Sequence, residues 1–309
     1  MLNLIELFHG QPTKKVIIVN ITGLEGKLTV CKLIHHVLKF NNIESAIYSN
    51  KKTNFSKFVH KQLKNNIKII ICSNLTNRSN LITENIDISI NPNKIAKKIK
   101  VSPTKLSFVY DSQNFKINKP FYYLINGITT AYNACKKLNI NSKNIIKAFE
   151  NIPSLPGQQE LVSNNLKINT YVDSSQTPLT IKALLSSFKL LPHNQIIVIF
   201  GHSSFKNKSL RPEIGKIINK FADIIYLTAD DIKNETVKEI ASQIFEKKLK
   251  KCIIIENRQD AFNQAIKKAQ SNDIIIALGH HHPYLIQNNT RFPWSDQEAF
   301  RTAFRNKYL

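Results

Sequence analysis

The second half of the chain alternates short apolar runs with segments of helix length, and this alternation restricts the fold more than any other feature. Five runs are strand-like: Leu166–Val172, Gln195–Phe200, Asp223–Thr228, Lys251–Glu256 and Asp273–Leu278. Between them the pattern indicates helices of about 10 to 15 residues, and this alternation is typical of a parallel sheet covered on both faces. We therefore predict a doubly wound α/β domain, whose ligands would bind at the carboxyl ends of its strands.

The first half also alternates strands and helices, but less regularly. A buried-strand run at Val16–Val19 precedes a helix with apolar residues at Val30, Leu33, Ile34, Val37 and Leu38. A second helix near Phe55–Leu63 leads into further strands and helices, which we predict at Ile67–Cys72, Ile86–Ile90, Leu106–Tyr110, Tyr122–Leu138 and Ser142–Asn151. Pro153, Pro156 and Gly157 then interrupt the pattern. We predict two domains, residues 1–152 and 153–309.

A glycine-containing loop, residues 20–29 (NITGLEGKLT), joins the first strand to the first helix. A phosphate-binding loop needs this setting: glycines that turn backbone N–H groups toward the anion, a helix N-terminus, and a lysine for the terminal phosphates. Gly23, Gly26 and Lys27 fit that description. Leu28 stands where a Ser or Thr hydroxyl would bind Mg²⁺, and Thr29 lies about 100° further round the helix. From the loop alone, both a degenerate phosphate-binding loop and an ordinary tight turn remain open.

The formal net charge of +23 raises the question of a nucleic-acid partner. The lysines are scattered, however, and the two short groups at 94–100 and 247–251 lack the interleaved aromatic residues of a stacking platform. The chain is rich in Lys, Asn and Ile, which an AT-rich bacterial or endosymbiont genome would favour. We therefore do not expect nucleic acid as a partner.

Neither a membrane location nor a cysteine-based site is expected. No apolar run reaches the roughly 18 to 20 residues of a membrane span, and the start of the chain lacks the pattern of a leader. The four cysteines form no CxxC pair, so we interpret them as buried free thiols. We expect a cytoplasmic protein.

Several motifs of the second half follow one another in a fixed order. They are LPGQQELV (155–162), VDSSQTP (172–178), VIFGHSSFKNKSLRPEIGKI (198–217), ADIIYLTADDIKNE (222–235), GHHHPY (279–284) and FPWSDQEAFRTAF (292–304). Together with the loop after the first strand, this order resembles the Mur ligase family over residues 12 to 309. Within the family it is most similar to the MurE-like, ATP-dependent ligases that add the third peptide residue of a peptidoglycan precursor. The resemblance implies a P-loop-like central domain at 1–152 and a Rossmann-like C-terminal domain at 153–309.

The resemblance also implies a set of site residues. Lys27 would be the catalytic group that stabilises the transferred phosphoryl group. The nucleotide-binding residues would be Gly23, Gly26, Lys27, Thr29, Asn126, Asp173 and Arg211. Asp230, Lys233 and His282 would lie on the substrate side, where the family has its DNPR and GKGHE motifs. If the chain is active, ATP and Mg²⁺ would be its cofactors.

Many family groups are replaced. The family's EVSSH stretch is most similar to residues 71–75 (ICSNL), which lack its glutamate and histidine. Gln158 stands where the family has the arginine of its GRME motif, and Lys97 or Lys98 is the candidate for its carbamylated lysine. Lys233 offers a point charge where the family has a bidentate arginine. We interpret the three histidines at 280–282 as a loop and assign no metal ligand.

Two architectural expectations follow from the resemblance. The family's UDP-binding N-terminal domain has no counterpart in the sequence, so a separate protein partner could supply it. The stretch between Ile90 and Phe121 leaves no room for the family's further strand, helix and metal-ligand segments.

Two functional hypotheses remain. The favoured one is a non-catalytic MurE-like homologue that keeps the scaffold and has lost the chemistry. The alternative is an active ATP-dependent ligase that joins an amino acid to a carboxylate acceptor and binds nucleotide and small-molecule substrates. We leave open whether the chain is an enzyme.

Overall fold

The computed structural model describes residues 12–22, 26–49, 54–73, 84–89, 96–102, 105–119, 122–153, 157–245, 251–280, 282–287 and 289–307. The chain divides into two compact units, residues 1–152 and 153–309. Across the described residues, no helix combines the length and apolar character that crossing a bilayer requires.

The first unit contains a parallel sheet of four strands in the order β2-β3-β1-β4. The strands are β1 (Ile17–Thr22), β2 (Ser45–Tyr48), β3 (Ile69–Ser73) and β4 (Glu84–Ser89). Helix α1 (Lys27–Phe40) follows β1, and α2 (Phe55–Lys64) follows β2. The five apolar residues of α1 that recur at helical spacing are buried, as the sequence predicts: Val30, Leu33, Ile34, Val37 and Leu38.

The rest of this unit corrects the sequence prediction for residues 90–121. That stretch contains a three-stranded antiparallel sheet of β5 (Lys97–Val101), β6 (Leu106–Tyr110) and β7 (Gln113–Ile117), where only the middle strand was predicted. The turn between β6 and β7 is tight because Asp111 and Ser112 adopt positive φ, so few residues are needed to join these two strands. Helices α3 (Ile125–Lys137) and α4 (Ser142–Glu150) end the unit, and α3 packs on α1.

The second unit contains a six-stranded sheet in the order β12-β11-β10-β13-β9-β8. Its strands are β8 (Glu160–Val162), β9 (Asn169–Asp173), β10 (Ile196–Phe200), β11 (Ile224–Leu227), β12 (Cys252–Ile254) and β13 (Ile274–Leu278). All neighbours are parallel except β8, which runs antiparallel to β9. This confirms the predicted α/β class with a parallel sheet.

The helices of this unit alternate with its strands. They are α5 (Pro178–Phe188), α6 (Arg211–Phe221), α7 (Val237–Ile244), α8 (Arg258–Lys268) and α9 (Asp296–Asn306). A hairpin of β14 (Tyr284–Gln287) and β15 (Thr290–Pro293) lies between β13 and α9. The central strands β10 and β13 are buried along their whole length, which explains their continuous apolar runs.

One predicted strand of this unit is wrong in its bounds. Residues 166–172 were expected to form a single strand, but β9 begins only at Asn169. The side chain of Asn164 holds the turn before it, accepting from the backbone N–H of Leu166 at 2.9 Å and donating to the carbonyl of Ile168 at 2.6 Å. These local bonds compete with extension of the strand.

Candidate functional site

In the first unit, the candidate phosphate site is the start of α1. Gly26 is the N-cap residue and adopts a left-handed conformation with φ of 77°, which glycine enters without steric cost. Among the described residues, no side chain caps this helix at Gly26 and no acidic residue lies in its first turn. Its first backbone N–H groups and partial positive charge are therefore suited to an anion, with Lys27 as the first helical residue. Gly23 lies outside the described residues.

Leu28 and Thr29 follow on this helix. Leu28 is 46% exposed, so an apolar side chain faces solvent where the family resemblance implies a hydroxyl. Thr29 is half-buried. The start of α1 thus provides groups that suit phosphate but places no hydroxyl at the position needed for Mg²⁺.

Asn126, the predicted adenine-side residue, is exposed on α3. Its backbone carbonyl accepts hydrogen bonds from the hydroxyls of Thr129 and Thr130, at 3.2 and 2.6 Å. Its nucleotide-binding role stays a prediction.

In the second unit, Asp173 lies at the carboxyl end of β9. It is buried, and its carboxylate accepts from the backbone N–H groups of Gln159, at 2.9 Å, and Ser175, at 2.8 Å. Burial raises the pKa of Asp173 to about 6, against the lowering effect of these hydrogen bonds. The carboxylate therefore holds two neighbouring loop segments together at the edge where this class of sheet binds ligands.

Arg211, the first residue of α6, is completely buried. Its Nη1 donates to Glu235 at 2.7 Å and to Gln243 at 2.6 Å, Nη2 donates to Glu235 at 3.1 Å, and Nε donates to Nδ1 of His202 at 3.2 Å. The hydrogen bonds from Arg211 lower the pKa of Glu235 to about 2. Burial, with Arg211 second, lowers the pKa of His202 to about 4, so the imidazole is neutral and accepts from the guanidinium.

Asp230, predicted on the substrate side, follows β11 and is buried against His280, which follows β13. Asp230 Oδ1 lies 2.8 Å from His280 Nδ1. Asp231 is buried beside them, and ligand atoms of the three residues lie within 4.8 Å of one another. Such a group could hold a metal ion, but each member already has protein partners: His280 Nε2 lies 2.8 Å from the carbonyl of His282, and Asp231 accepts from the N–H of Ile286 at 2.9 Å. Burial by itself would raise the pKa of Asp230, but the hydrogen bond from His280 and the nearby charges lower that pKa below its ordinary value.

The other two predicted substrate-side residues lie at the rim. Lys233 is exposed, and its backbone N–H donates to the hydroxyl of Ser204 at 3.1 Å. The ring of His282 stacks on Tyr284 with centroids 5.5 Å apart. The structure thus joins Asp230 and His282 through His280, while Lys233 contacts the loop after β10.

Sequence reasoning missed a buried ion pair in this unit. Arg258 Nε and Nη2 donate to the two carboxylate oxygens of Asp296, at 2.9 and 2.7 Å, and Nη1 donates to the carbonyl of Ala229 at 2.9 Å. Trp294 also donates to Asp296, at 2.7 Å. The pair anchors the start of α8 and α9 next to the Asp230 loop. An arginine at the first position of an otherwise amphipathic helix was the available signal.

Residues 159–281 match the family model for the Mur ligase glutamate ligase domain. The chain is similar to the UDP-N-acetylmuramoyl-L-alanyl-D-glutamate–2,6-diaminopimelate ligases of Clostridium botulinum, at 26% identity over 64% of this chain and 42% of the relative, and of Caldanaerobacter subterraneus, at 29% identity over 67% and 44%. The chain therefore spans less than half the length of these curated relatives. Its fold matches the MurF ligase of Thermotoga maritima in complex with ADP, with a TM-score of 0.67 and 11% identity over 99% of this chain and 84% of that one. These matches confirm the resemblance predicted from the sequence.

Proposed function

We propose that this chain, which carries a Mur ligase glutamate ligase domain and the Mur ligase fold, is a MurE-like homologue that does not catalyse ligation. In this proposal residues 1–152 correspond to the ATP-binding-like central domain and 153–309 to the C-terminal domain. We place the protein in the cytoplasm, alongside peptidoglycan precursor synthesis, because the relatives are named for that chemistry.

The observation that carries the proposal is that the chain's own residues occupy the guanidinium of Arg211. The guanidinium is completely buried and donates four hydrogen bonds, to Glu235, Gln243 and His202. An arginine that bound nucleotide would need to release some of these partners, and a buried charge separated from its partner is costly. We therefore assign Arg211 to the framework of the unit.

The groups around Asp230 support the same conclusion. Asp230 and His280 satisfy each other at 2.8 Å, and the exposed Lys233 cannot reproduce the two parallel hydrogen bonds by which an arginine binds a carboxylate. A substrate amino acid would therefore lose the bidentate contact that the family motif implies.

Leu28 affects which of the two cofactors, ATP and Mg²⁺, the start of α1 could bind. Gly26 and Lys27 would hold the phosphates of ATP at the start of α1, where the backbone N–H groups of the first turn suit an anion. The exposed Leu28 does not fit Mg²⁺, whose chemistry in phosphoryl transfer is to neutralise the developing charge. These residues therefore support binding of the nucleotide without Mg²⁺-assisted transfer of its phosphoryl group.

An active ATP-dependent amide ligase is the second candidate. The left-handed Gly26, Lys27 as the first helical residue, and the buried Asp173 at the end of β9 favour it. With a pKa near 6, Asp173 is ionised at neutral pH and could accept from a sugar hydroxyl if Gln159 or Ser175 released it.

The two candidates differ in ADP release. The full chain would be incubated with Mg-ATP, UDP-N-acetylmuramoyl-L-alanyl-D-glutamate and either diaminopimelate or lysine. The proposal expects no ADP release above that of the Lys27→Ala variant. Amino-acid-dependent release that Lys27→Ala abolishes would establish the ligase instead.

Nucleotide binding is tested separately by thermal unfolding. A ligand at 100 times its Kd stabilises a protein by about 2.7 kcal/mol, which raises Tm visibly. We expect a rise with ATP that Lys27→Ala reduces. A chain whose Tm does not respond to millimolar ATP, with or without Mg²⁺, would have lost the nucleotide site and could not be an active ligase.

A further inference from the structure

The second unit has a groove at the edge of its sheet opposite Asp173. It has a volume of about 370 Å³ and is lined by residues of the β8–β9 loop and of α9: Ser163, Asn164, Asn165, Leu166, Arg301, Phe304 and Arg305. Because β8 runs antiparallel to β9, this loop lies at the amino end of β9. Asp173 and Gly279 lie at the carboxyl ends of β9 and its parallel neighbour β13, at the opposite edge of the sheet.

The groove combines an apolar wall with a cationic rim. Phe304 is 9% exposed and belongs to the core, and Leu166 packs against the same core while remaining half-buried. Arg301 and Arg305 lie one helical turn apart on α9, and both are exposed. A ligand here would contact hydrocarbon on one side and guanidinium groups on the other.

The positive charge at the rim is only partly compensated. Arg301 pairs with Glu298 on the same helix. Arg305 donates through Nε to the carbonyl of Arg301 at 3.4 Å, and its two terminal nitrogens make no hydrogen bond to any described residue. Lys307 is engaged elsewhere, because it donates to the carbonyls of Ile266 and Ala269 at the end of α8, each at 2.8 Å.

The β8–β9 loop that lines the groove is held in place by its own hydrogen bonds. Asn164 Oδ1 accepts from the N–H groups of Leu166, at 2.9 Å, and Ile168, at 3.4 Å, and its Nδ2 donates to the carbonyl of Ile168 at 2.6 Å. This holds the loop in one conformation and leaves the exposed side chains of Ser163 and Asn165 at the rim. Because this loop is already ordered, less conformational entropy is lost when a ligand binds.

We propose that this groove binds a small organic anion, a phosphate or carboxylate carried on an aromatic or aliphatic body. The planar guanidinium of Arg305 suits both anions because it can donate two parallel hydrogen bonds. The wall of Phe304 and Leu166 suits an apolar body, and the volume lies at the lower end of the range for small-molecule sites. The site is independent of the function proposed above, since it shares no residue with the candidate site.

The test uses the ¹⁵N-labelled full chain and four probes: phenyl phosphate, benzoate, inorganic phosphate and benzyl alcohol. Amide shifts would be followed during titration. We expect saturable binding of phenyl phosphate or benzoate in the millimolar range, with shifts confined to residues 163–167 and 298–305. The stronger of the two identifies the anion. Inorganic phosphate and benzyl alcohol, which each carry half of the recognition, should bind at least about tenfold more weakly.

Variants assign the binding to the rim. Arg305→Gln should weaken the better probe about tenfold, whereas Arg291→Gln, which removes an exposed arginine on the β14–β15 hairpin, should leave its affinity unchanged. The proposal is overturned if no probe binds saturably, if Arg305→Gln binds as tightly as the parent chain, or if inorganic phosphate alone binds as well as phenyl phosphate.

Discussion

Arg211 and Glu235 meet through two hydrogen bonds, 2.7 and 3.1 Å long, although 24 residues separate them in the chain. The arginine is completely buried and the glutamate side chain is 8% exposed. The pair ties the first residue of α6 to the segment before α7, so its contribution should appear in the stability of the second unit.

Removing Glu235 should lower the free energy of unfolding more than removing Arg211. Removing one partner of a buried pair costs about 3 to 5 kcal/mol, because the remaining charge is uncompensated. We expect Glu235→Leu to approach that cost. Arg211→Leu should cost less, since Lys208 still lies 3.1 Å from Glu235. Urea unfolding measures both. Lys238→Ala, in the exposed pair with Glu256 at 3.9 Å, is the control and should change stability by less than about 0.5 kcal/mol.

The same pair predicts a loss of stability in acid. The pKa of Glu235 is about 2 in the folded chain and its ordinary value is 4.5. A lowered pKa stabilises the fold above pH 4.5, and this stabilisation is lost as the pH falls toward 2. We expect a loss on the order of 1 kcal/mol over this window, which Glu235→Gln should abolish. Unfolding free energies measured at pH 5 and pH 3 would contradict the assignment if the variant and the parent chain lost stability equally.

Asp173 should act in the opposite direction. Its pKa is raised to about 6 from an ordinary 3.8, so the fold favours the protonated form. Stability contributed by this group should therefore increase as the pH falls from about 7 to 4, by on the order of 2 kcal/mol. A ¹³C titration of the Asp173 carboxyl should give a midpoint near 6. A midpoint near 4 would show that the two backbone N–H donors cancel the effect of burial on the pKa.

Two helical glycines should respond differently to alanine. A Cβ at Gly215, in α6, would lie 2.0 Å from the carbonyl oxygen of Ile244, whereas one at Gly127, in α3, would be 3.4 Å from a methyl group of Leu33. Gly215→Ala must push α6 from α7 and should destabilise the chain by about 3 kcal/mol. Gly127→Ala should be neutral or stabilising by up to about 1 kcal/mol, because alanine favours helix. Thermal unfolding of both variants checks the pair, and equal Tm values would refute it.

Leu28→Thr should restore a metal-linked response to ATP. The residue is 46% exposed on α1, so the change should affect stability by only a few tenths of a kcal/mol. We expect the ATP-induced rise in Tm to become larger with Mg²⁺ in Leu28→Thr but not in the matched Leu28→Ala. Identical responses of the two variants would mean that the hydroxyl is not what the site lacks.

The regular part of the fold was predictable because its signals are local. Apolar runs such as Ile196–Phe200 and Ile274–Leu278 are buried throughout and read as strands without reference to the rest of the chain. Strands β5 and β7 were missed because each spans only five positions, and three of the five in β5 are lysines: Lys97, Lys98 and Lys100.

The candidate site was predictable only where a motif fixes the backbone. The left-handed Gly26 before α1 and Asp173 at the end of β9 lie where the sequence placed them. The bonds of Arg211 to Glu235 and of Arg258 to Asp296 depend on residues 24 and 38 positions away, and no periodicity indicates such partners. Whether the predicted nucleotide residues bind nucleotide stays a prediction.

The position of β13 has a consequence for folding. This strand lies between β9 and β10 in the sheet, although about 70 residues separate it in sequence from the nearer of them. While the chain is being synthesised, neither β9 nor β10 can pair along the edge that faces β13 until residues 274–278 have been made. Until then both expose unpaired apolar edges, a state that favours aggregation. Chaperone dependence during synthesis should therefore fall once residues 274–278 have emerged from the ribosome.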